Sequence, residues 1–497
     1  MTTKKKIILF NPKPGKNPGY RGLPLPLLSI SSLLWKKYDI KIVDALIDKN
    51  YCETVSGLID NNTVCVGTTA MTGYPIKESL EISKIVKEKS TIPIIWGGWH
   101  PTILPEQTVS SDYVDIVVRG HGERTFYELV NCLSNNKPLN GVLGITYKNN
   151  GKIISNPDRP LDDINDFPPL PYELIDVEKS FNKELGERTM SYNSSYGCPA
   201  ECRFCCEKLM AGRRWTALTP ERVIKDFEMF YHKYKADGVR VADSNFFVDE
   251  ERIVAICKGL IEKKIRLKWG HVNGRIDQLL KYKESTWKLM EESGCASMLI
   301  GAESGSQTIL DFINKKQRVE DILKFVKLCK KYNIKVWCSL MFGFPGQNHD
   351  DEIEQTIKLI EDIYSIAEDT PFLWFLFTPY PGTDLYKTCV DDYGLKEPQS
   401  LEEWVDWELL TSKTPWIKEK HRKIFMQFPS YILPCMKNTP CFTVLKPLAL
   451  FRLKHRFFSI PFEYNFIEFA RKQDYMKAVY RKFAKRKMIK PQKHIVR

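Results

Sequence analysis

Between Lys6 and Val118, short apolar, β-rich runs alternate with longer segments whose apolar residues recur at helical spacing. The runs are Lys6 to Phe10, Ile40 to Val43, Val64 to Gly67, Ile92 to Trp96 and Asp115 to Val118. The helical patterns include Leu23 to Lys37, Ile76 to Lys89 and Glu123 to Leu133. Strands apolar on both faces and separated by helix-length segments predict an α/β domain with a parallel, doubly wound sheet over residues 1–150. In such sheets ligands bind beyond the carboxyl ends of the strands. Those ends carry Gly67-Thr68-Thr69-Ala70-Met71-Thr72-Gly73, Gly97-Gly98-Trp99-His100-Pro101 and Arg119-Gly120-His121-Gly122-Glu123. Glycine lets backbone approach a bulky ligand and threonine hydroxyls can donate to it, although plain strand-to-helix turns use the same residues.

Leu143 to Tyr147 and Ile153 to Ile154 flank Asn149-Asn150-Gly151, a strong tight-turn signal that predicts a hairpin. Two proline-rich stretches, Asn156 to Pro160 and Asp166 to Tyr172, then read as a stiff connector, so that 151–185 forms a hairpin and linker. From residue 186 the alternation resumes. Candidate strands are Met190 to Ser194, Val239 to Ala242, Lys268 to Val272, Ser297 to Gly301, Lys335 to Phe342 and Leu373 to Phe377. Amphipathic helices lie between them, as at Pro220 to Tyr234, Glu250 to Lys264 and Glu320 to Tyr332. Six such units predict a partial (β/α)6 barrel over 186–390, with reactive groups at the carboxyl ends of its strands. The stretches Asp243 to Asp249, Gly274 to Asp277, Gly301 to Gly305, Gly343 to Gly346 and Thr378 to Thr383 all fall there.

Charge sets the remainder apart. Residues 391–497 read as mainly helical and basic: 451–497 hold 14 Lys or Arg against Glu463, Glu468 and Asp474, which accounts for +11 of the chain's +13. A basic tail on an otherwise near-neutral chain points to a local surface, a partner or a lid rather than to nucleic acid. Phe451 to Phe462 mixes aromatics with basic groups and Tyr475 to Ile489 reads as a basic helix, suited either to an anionic membrane surface or to a helical cap with a solvated face. The 14 cysteines are irregularly spaced, no signal-peptide core follows Met1, and no apolar stretch reaches the roughly 18 residues of a membrane span. A cytoplasmic location is expected, with peripheral contact at the inner membrane face where the tail binds lipid.

Cys198, Cys202 and Cys205 stand as C-x3-C-x2-C directly after the first barrel strand. Three thiolates hold three irons of a 4Fe-4S cube and leave the fourth open for a substrate. A structural zinc site is the alternative, but it wants four ligands, usually as two close pairs a dozen or more residues apart. The adjacent Cys206 is a further thiol within reach in sequence.

The cysteine loop, with Phe204 before its third cysteine, resembles the cluster loop of radical S-adenosylmethionine enzymes, and the resemblance runs from about Ser191 to Tyr386. The set V-G-x-x-x-M-T-G, G-G-x-H-P-T-x-x-P-E and V-x-G-x-G-E-x-T-F, at Val66 to Gly73, Gly97 to Glu106 and Val118 to Phe126, resembles the Rossmann-like cobalamin-binding domain that precedes many such cores. His121 stands where that family more often has Glu. The D-x-H-x-x-G signature of histidine-ligated cobalt is absent, with Leu46 and Lys49 in the positions of His and Gly after Asp44.

The resemblance implies a 4Fe-4S cluster on Cys198, Cys202 and Cys205 with Cys206 a bystander, together with S-adenosylmethionine and cobalamin. It places Phe204 near the adenine, Asp243 and Asn245 on the methionine or substrate side, Glu303 and Ser304 near the ribose or amine, and Gly343 to Gly346, Pro345 included, along the adenine wall. Arg213, Arg214 and Arg275 could pair carboxylates of cofactor or substrate, although Arg213 and Arg214 precede a helix N-cap at Thr219 and a surface role suits Arg214 as well. Asp243 and Glu303 could equally be barrel-mouth residues that satisfy backbone amides. On the cobalamin side it implicates Thr68, Thr69, Thr72, Gly73, Gly97, Gly98, Gly120 and Glu123, with His100 either a contact or a structural residue of its turn.

The two cofactor domains together imply a radical methyltransferase acting on an unactivated sp3 carbon of a small-molecule or lipid substrate. It would be fed by a low-potential electron donor such as flavodoxin or ferredoxin. A cyclase, ring-contracting enzyme or oxidase with the same cofactors is the alternative. An RNA-modifying enzyme of the methylthiolating kind would carry a second cysteine triad in its N-terminal domain, where this chain has only the dispersed Cys52, Cys65 and Cys132.

Overall fold

The computed structural model describes residues 4–16, 22–407, 414–436 and 443–472. The predicted Tyr475 to Ile489 helix lies outside them.

Seven strands form the N-terminal sheet: β1 (Lys6–Asn11), β2 (Asp39–Asp44), β3 (Thr63–Thr69), β4 (Ile94–Gly97), β5 (Ile116–Val118), β6 (Ile145–Asn149) and β7 (Lys152–Ser155), in the order β2-β1-β3-β4-β5-β6-β7. The first five are parallel, as doubly wound topology requires. Side-chain alternation along β1 sends Ile8 and Phe10 into one core and Ile7 and Leu9 into another, so both faces are covered, which is why the strand reads as an unbroken apolar run. The apolar pattern from Leu23 to Lys37 yields a helix only over Leu25–Ser31, the chain continuing in turns. The hairpin does not belong to the connector. Asn150 (φ 48°) and Gly151 (φ 75°) turn the chain tightly, and β6 pairs antiparallel with β5, which adds two strands to the sheet's edge.

The second domain holds β8 (Thr189–Tyr192), β9 (Ser195–Gly197), β10 (Trp215–Ala217), β11 (Gly238–Val241), β12 (Lys268–Gly270), β13 (Val272–Gly274), β14 (Ser297–Glu303), β15 (Lys335–Phe342) and β16 (Phe372–Leu376). The six barrel positions are present, but the third strand, expected to run unbroken from Lys268 to Val272, is cut at His271. Its φ of +51° cannot continue a pleat, its Nδ1 lies 2.6 Å from a Glu184 carboxylate oxygen and its N–H donates to Ser297 Oγ (2.9 Å). The cut leaves two parallel sheets, β12-β11-β8 and β13-β14-β15-β16.

The C-terminal region is mainly helical among the described residues and closes the β15–β16 end, where Trp374 stacks on Phe428 at 4.1 Å and Phe342 meets Phe425 at 5.0 Å. No helix of the described residues is long and apolar enough to cross a membrane.

Candidate functional site

The cysteine loop is gripped at its base. β9 and β10 pair antiparallel around it, with Gly197 opposite Trp215. Gly197 sits at φ +86°, where a Cβ would lie 2.0 Å from the Arg214 carbonyl oxygen, so no other residue fits. Buried Asp243 commits both carboxylate oxygens to the same base, accepting from Ser194 N–H (2.6 Å), Ser194 Oγ (2.7 Å) and Ser195 Oγ (2.6 Å). Burial raises its pKa against the pull of these bonds, and Arg252 donates to Ser194 Oγ from the far side (2.9 Å). Asp243 is thus a brace for the loop.

Two donors reach the cysteines themselves. Asn245 Nδ2 lies 3.6 Å from Cys198 Sγ, and Arg275 Nη1 lies 3.2 Å from Cys202 Sγ. Burial pushes the Cys205 and Cys206 thiols up to about 12. Among the described residues no three His, Cys, Asp or Glu side chains converge on a single metal ion. A cube does not ask that of them, because each thiolate takes a different iron.

Arg213 pairs with Glu201 of the cysteine loop and Arg214 bonds the Ala211 carbonyl, so of the three arginines Arg275 is the one that donates to a cysteine sulfur.

Phe204 brings the cysteine loop against the glycine loop that follows β15, its ring 6.3 Å from that of Phe344. That loop turns at Gly343 (φ +82°) and Gly346 (φ +71°), with Pro345 between them. Gly343 is held by Trp416 Nε1, which donates to its carbonyl (2.8 Å), and by Glu352, which accepts from its N–H (3.0 Å). Burial pushes the Glu352 carboxyl up to about 8, and its Oε2 has no hydrogen-bond partner. Glu303 adopts φ +60° at the end of β14 and pairs with buried Lys315 (2.7 Å), whose Nζ stands 5.9 Å from the Phe204 ring centroid. The Ser304 hydroxyl is taken up by Ser306 N–H and Thr356.

Above the loop opens a cavity of about 300 Å³ walled by both domains. From the N-terminal sheet come Thr68 and Thr69 at the end of β3, Gly97 and Gly98 at the end of β4, and Gly120, His121 and Glu123 after β5; from the second domain come Asn193, Tyr196, Glu207, Met210, Ala242 and Ser244. A Cβ on Gly120 would meet no protein atom within 4 Å, so the absent side chain leaves room in the cavity itself. Gly98 (φ +95°) is required for another reason, since a Cβ there would lie 2.6 Å from Thr69 Oγ1. Thr68 bonds Ser79 (3.0 Å), and Glu123 accepts from Ser29 (2.6 Å). His121, 4.8 Å from the Tyr196 ring, has an unpartnered Nε2, and burial lowers its pKa. Thr72, Gly73 and His100 are off the cavity wall: Thr72 bonds His100 Nδ1 (3.1 Å), and His100 is buried against Trp404, its pKa lowered to about 3 by burial.

Sequence motifs missed Lys315, Arg252, Asn193 and Tyr196, because nothing in their neighbourhoods distinguishes them from ordinary barrel residues. Glu207 carries a signal in the sequence, since it follows Cys205 and Cys206 directly; it accepts from Gly197 N–H (3.1 Å), and burial raises its pKa.

Comparison with known proteins identifies the two halves. Residues 192–360 match the radical SAM superfamily and residues 15–130 the B12 binding domain. An uncharacterized methyltransferase of Pyrococcus horikoshii is 31% identical over 408 residues, covering 81% of this chain and 84% of that one. The anaerobic magnesium-protoporphyrin IX monomethyl ester cyclase of Rubrivivax gelatinosus is 26% identical over 404 residues, covering 75% and 70%. In three dimensions the cobalamin-dependent S-adenosylmethionine radical enzyme OxsB, solved with aqua-cobalamin, aligns with a TM-score of 0.70 at 17% identity, over 86% of this chain and 67% of that one, and so shares the fold. The chain therefore belongs to the radical SAM superfamily, as a cobalamin-dependent enzyme whose cofactors are a 4Fe-4S cluster, S-adenosylmethionine and cobalamin.

Proposed function

We propose that this enzyme transfers a methyl group to an unactivated sp3 carbon of a small-molecule or lipid-like substrate. The observation that carries the reading is the single cavity whose walls come from the strand ends of the B12-binding sheet, at Gly97, Gly98 and Gly120, and from the barrel beside the cysteine loop, at Tyr196, Glu207 and Ser244. One space reached from both cofactor domains lets a substrate carbon meet both. The name of the 31% identical relative, a methyltransferase, agrees with it.

The residues present suit the three groups. Cys198, Cys202 and Cys205 are soft donors that would hold the cluster, with Asn245 and Arg275 hydrogen-bonding their sulfurs. Asn245 Oδ1 is a buried acceptor with no partner beside Cys198, and it fits a donor such as the S-adenosylmethionine amine. Phe204, Glu303, Gly343 and Pro345 would border the adenosyl portion, with Ser304 behind them. The space at Gly120, with Thr68, Thr69, Gly97, Gly98 and Glu123 around it, would take cobalamin.

When bound, the cluster and S-adenosylmethionine supply a hydrogen-abstracting radical and cobalamin supplies a methyl group. The protein's own part is placement and dryness. Asp243 and Arg252 fix the cysteine loop through Ser194, Phe344 sets the glycine loop against Phe204, and Leu27, Ile30, Phe126 and Met210 line the shared space with apolar surface. A low-potential donor such as flavodoxin or ferredoxin would deliver the electron.

A second reading, cyclisation with the same cofactors, draws on the 26% identical cyclase. One assay separates them. Methyl transfer consumes S-adenosylmethionine twice, so with cobalamin, a low-potential reductant and a lipid or metabolite extract, 5'-deoxyadenosine and S-adenosylhomocysteine should rise together and a labelled methyl group should enter product. Substrate-dependent 5'-deoxyadenosine without S-adenosylhomocysteine would favour the cyclase reading instead.

A further inference from the structure

The C-terminal helices carry an exposed aromatic ridge. Seven of the ten exposed large apolar side chains among the described residues fall between Val444 and Phe469. Three of them, Phe462, Phe466 and Phe469, are 63%, 66% and 62% exposed and spaced four and three residues apart on the helix Phe462–Lys472, so they share one outward stripe. The inward side of the same helix holds Glu463 and Ile467, exposed by 4% and 9%. Ile460, 63% exposed, extends the stripe into the preceding turn.

The ridge is held in place. Arg452, from the helix Lys446–His455, is fully buried and pairs through two nitrogens with Glu463. It also donates to the carbonyls of Phe457 and Ile460 (2.7 Å each), which pins the turn between the helices. A buried arginine that spends its donors on fixing one helix makes the outward placement of the phenylalanines a consequence of the fold. Monomeric proteins rarely leave contiguous apolar patches bare, and those they do leave mark interaction sites.

Charge selects the partner. Residues 473–497, which follow the ridge directly, hold nine Lys or Arg against Asp474. A rigid aromatic stripe joined to concentrated positive charge matches the surface of an anionic bilayer, where rings enter the headgroup and acyl boundary and basic groups are drawn to the lipid phosphates. We infer that this face docks the enzyme on anionic lipid, with Phe462, Phe466 and Phe469 inserted and the basic segment drawn to the lipid phosphates. The inference is independent of which carbon is methylated.

The test is co-sedimentation of the full-length, anaerobically reconstituted holoenzyme with vesicles of phosphatidylcholine alone, or with half of it replaced by phosphatidylglycerol. Binding is expected to the anionic vesicles only, and to fall as salt shortens the Debye length from about 8 Å towards about 3 Å. Replacing all three residues together, Phe462→Ser, Phe466→Ser and Phe469→Ser, should weaken it on the order of tenfold or more, while Phe462→Leu, Phe466→Leu and Phe469→Leu together should retain it. Cluster absorbance and S-adenosylmethionine cleavage report that each variant is folded. Equal binding by the serine variant, equal binding to both lipids, or no binding by the unaltered enzyme would overturn the inference. So would a lipid-free dimer abolished by the serine variant, which would assign the face to a second copy of the chain.

Discussion

Arg275 donates from Nη1 to Cys202 Sγ at 3.2 Å, across 73 residues of sequence. Its guanidinium is kept in place by both oxygens of Asp277 (3.0 and 3.1 Å) and by the Lys315 carbonyl (2.7 Å), so the donor is preorganised. Hydrogen bonds to cluster sulfurs favour the reduced, more negative state and raise the reduction potential. For Arg275→Gln we expect a lower midpoint. Each kcal/mol of differential stabilisation lost corresponds to roughly 40 mV for one electron. Potentiometric titration followed by electron paramagnetic resonance measures it, and an unchanged midpoint would remove Arg275 from the cluster's environment.

Each of Cys198→Ala, Cys202→Ala and Cys205→Ala should abolish the 4Fe-4S cluster, whereas Cys206→Ala should keep it. Iron and sulfide analysis after anaerobic reconstitution decides this. Four irons surviving in any one of the three triad variants would break the ligand assignment.

Glu352 makes stability depend on pH. Its carboxyl is held near 8 when folded against an ordinary 4.5, because burial disfavours the charge. The folded state therefore binds the extra proton, and the stability this provides is complete below about 4.5 and is lost as pH rises through about 8. Glu352→Gln keeps an acceptor for Gly343 N–H without the titration. The variant's Tm advantage should grow across that window by the equivalent of a few kcal/mol and level off above it. Parallel pH-dependence in the two proteins would show that another group is responsible.

Gly120→Leu places a side chain in the cavity from a backbone at φ +68°. Bound cobalamin, read from its absorbance, should weaken on the order of tenfold or more while iron content is unchanged. Loss of both together would mean that the substitution unfolds the chain rather than filling the site.

The N-terminal sheet was readable because strand and helix periods are local: the run Lys6 to Phe10 needs no knowledge of its neighbours to declare itself buried on both faces. The cysteine triad was readable for the same reason, its three ligands lying within one loop whose spacing is itself the chemistry. His271 was not, since a break in β-structure enforced by a contact with Glu184, far earlier in the chain, leaves no trace in an apolar run that continues across it. For Asp243 the position at a strand end leaves a ligand contact and a barrel-mouth brace equally open, and only the two serines close in space, which donate to both of its oxygens, show the brace.

The sequence by itself thus determined the two α/β halves, the order of their strands' glycine-rich ends and the cluster-binding loop, all of which depend on residues a few positions apart. Only the tertiary structure decided which side chains stand beside the sulfurs, that Gly120 and Tyr196 wall one cavity, and that Arg452 turns Phe462, Phe466 and Phe469 outward. Those relations join segments many residues apart, and they are set by packing and buried polar pairing, which no local period encodes.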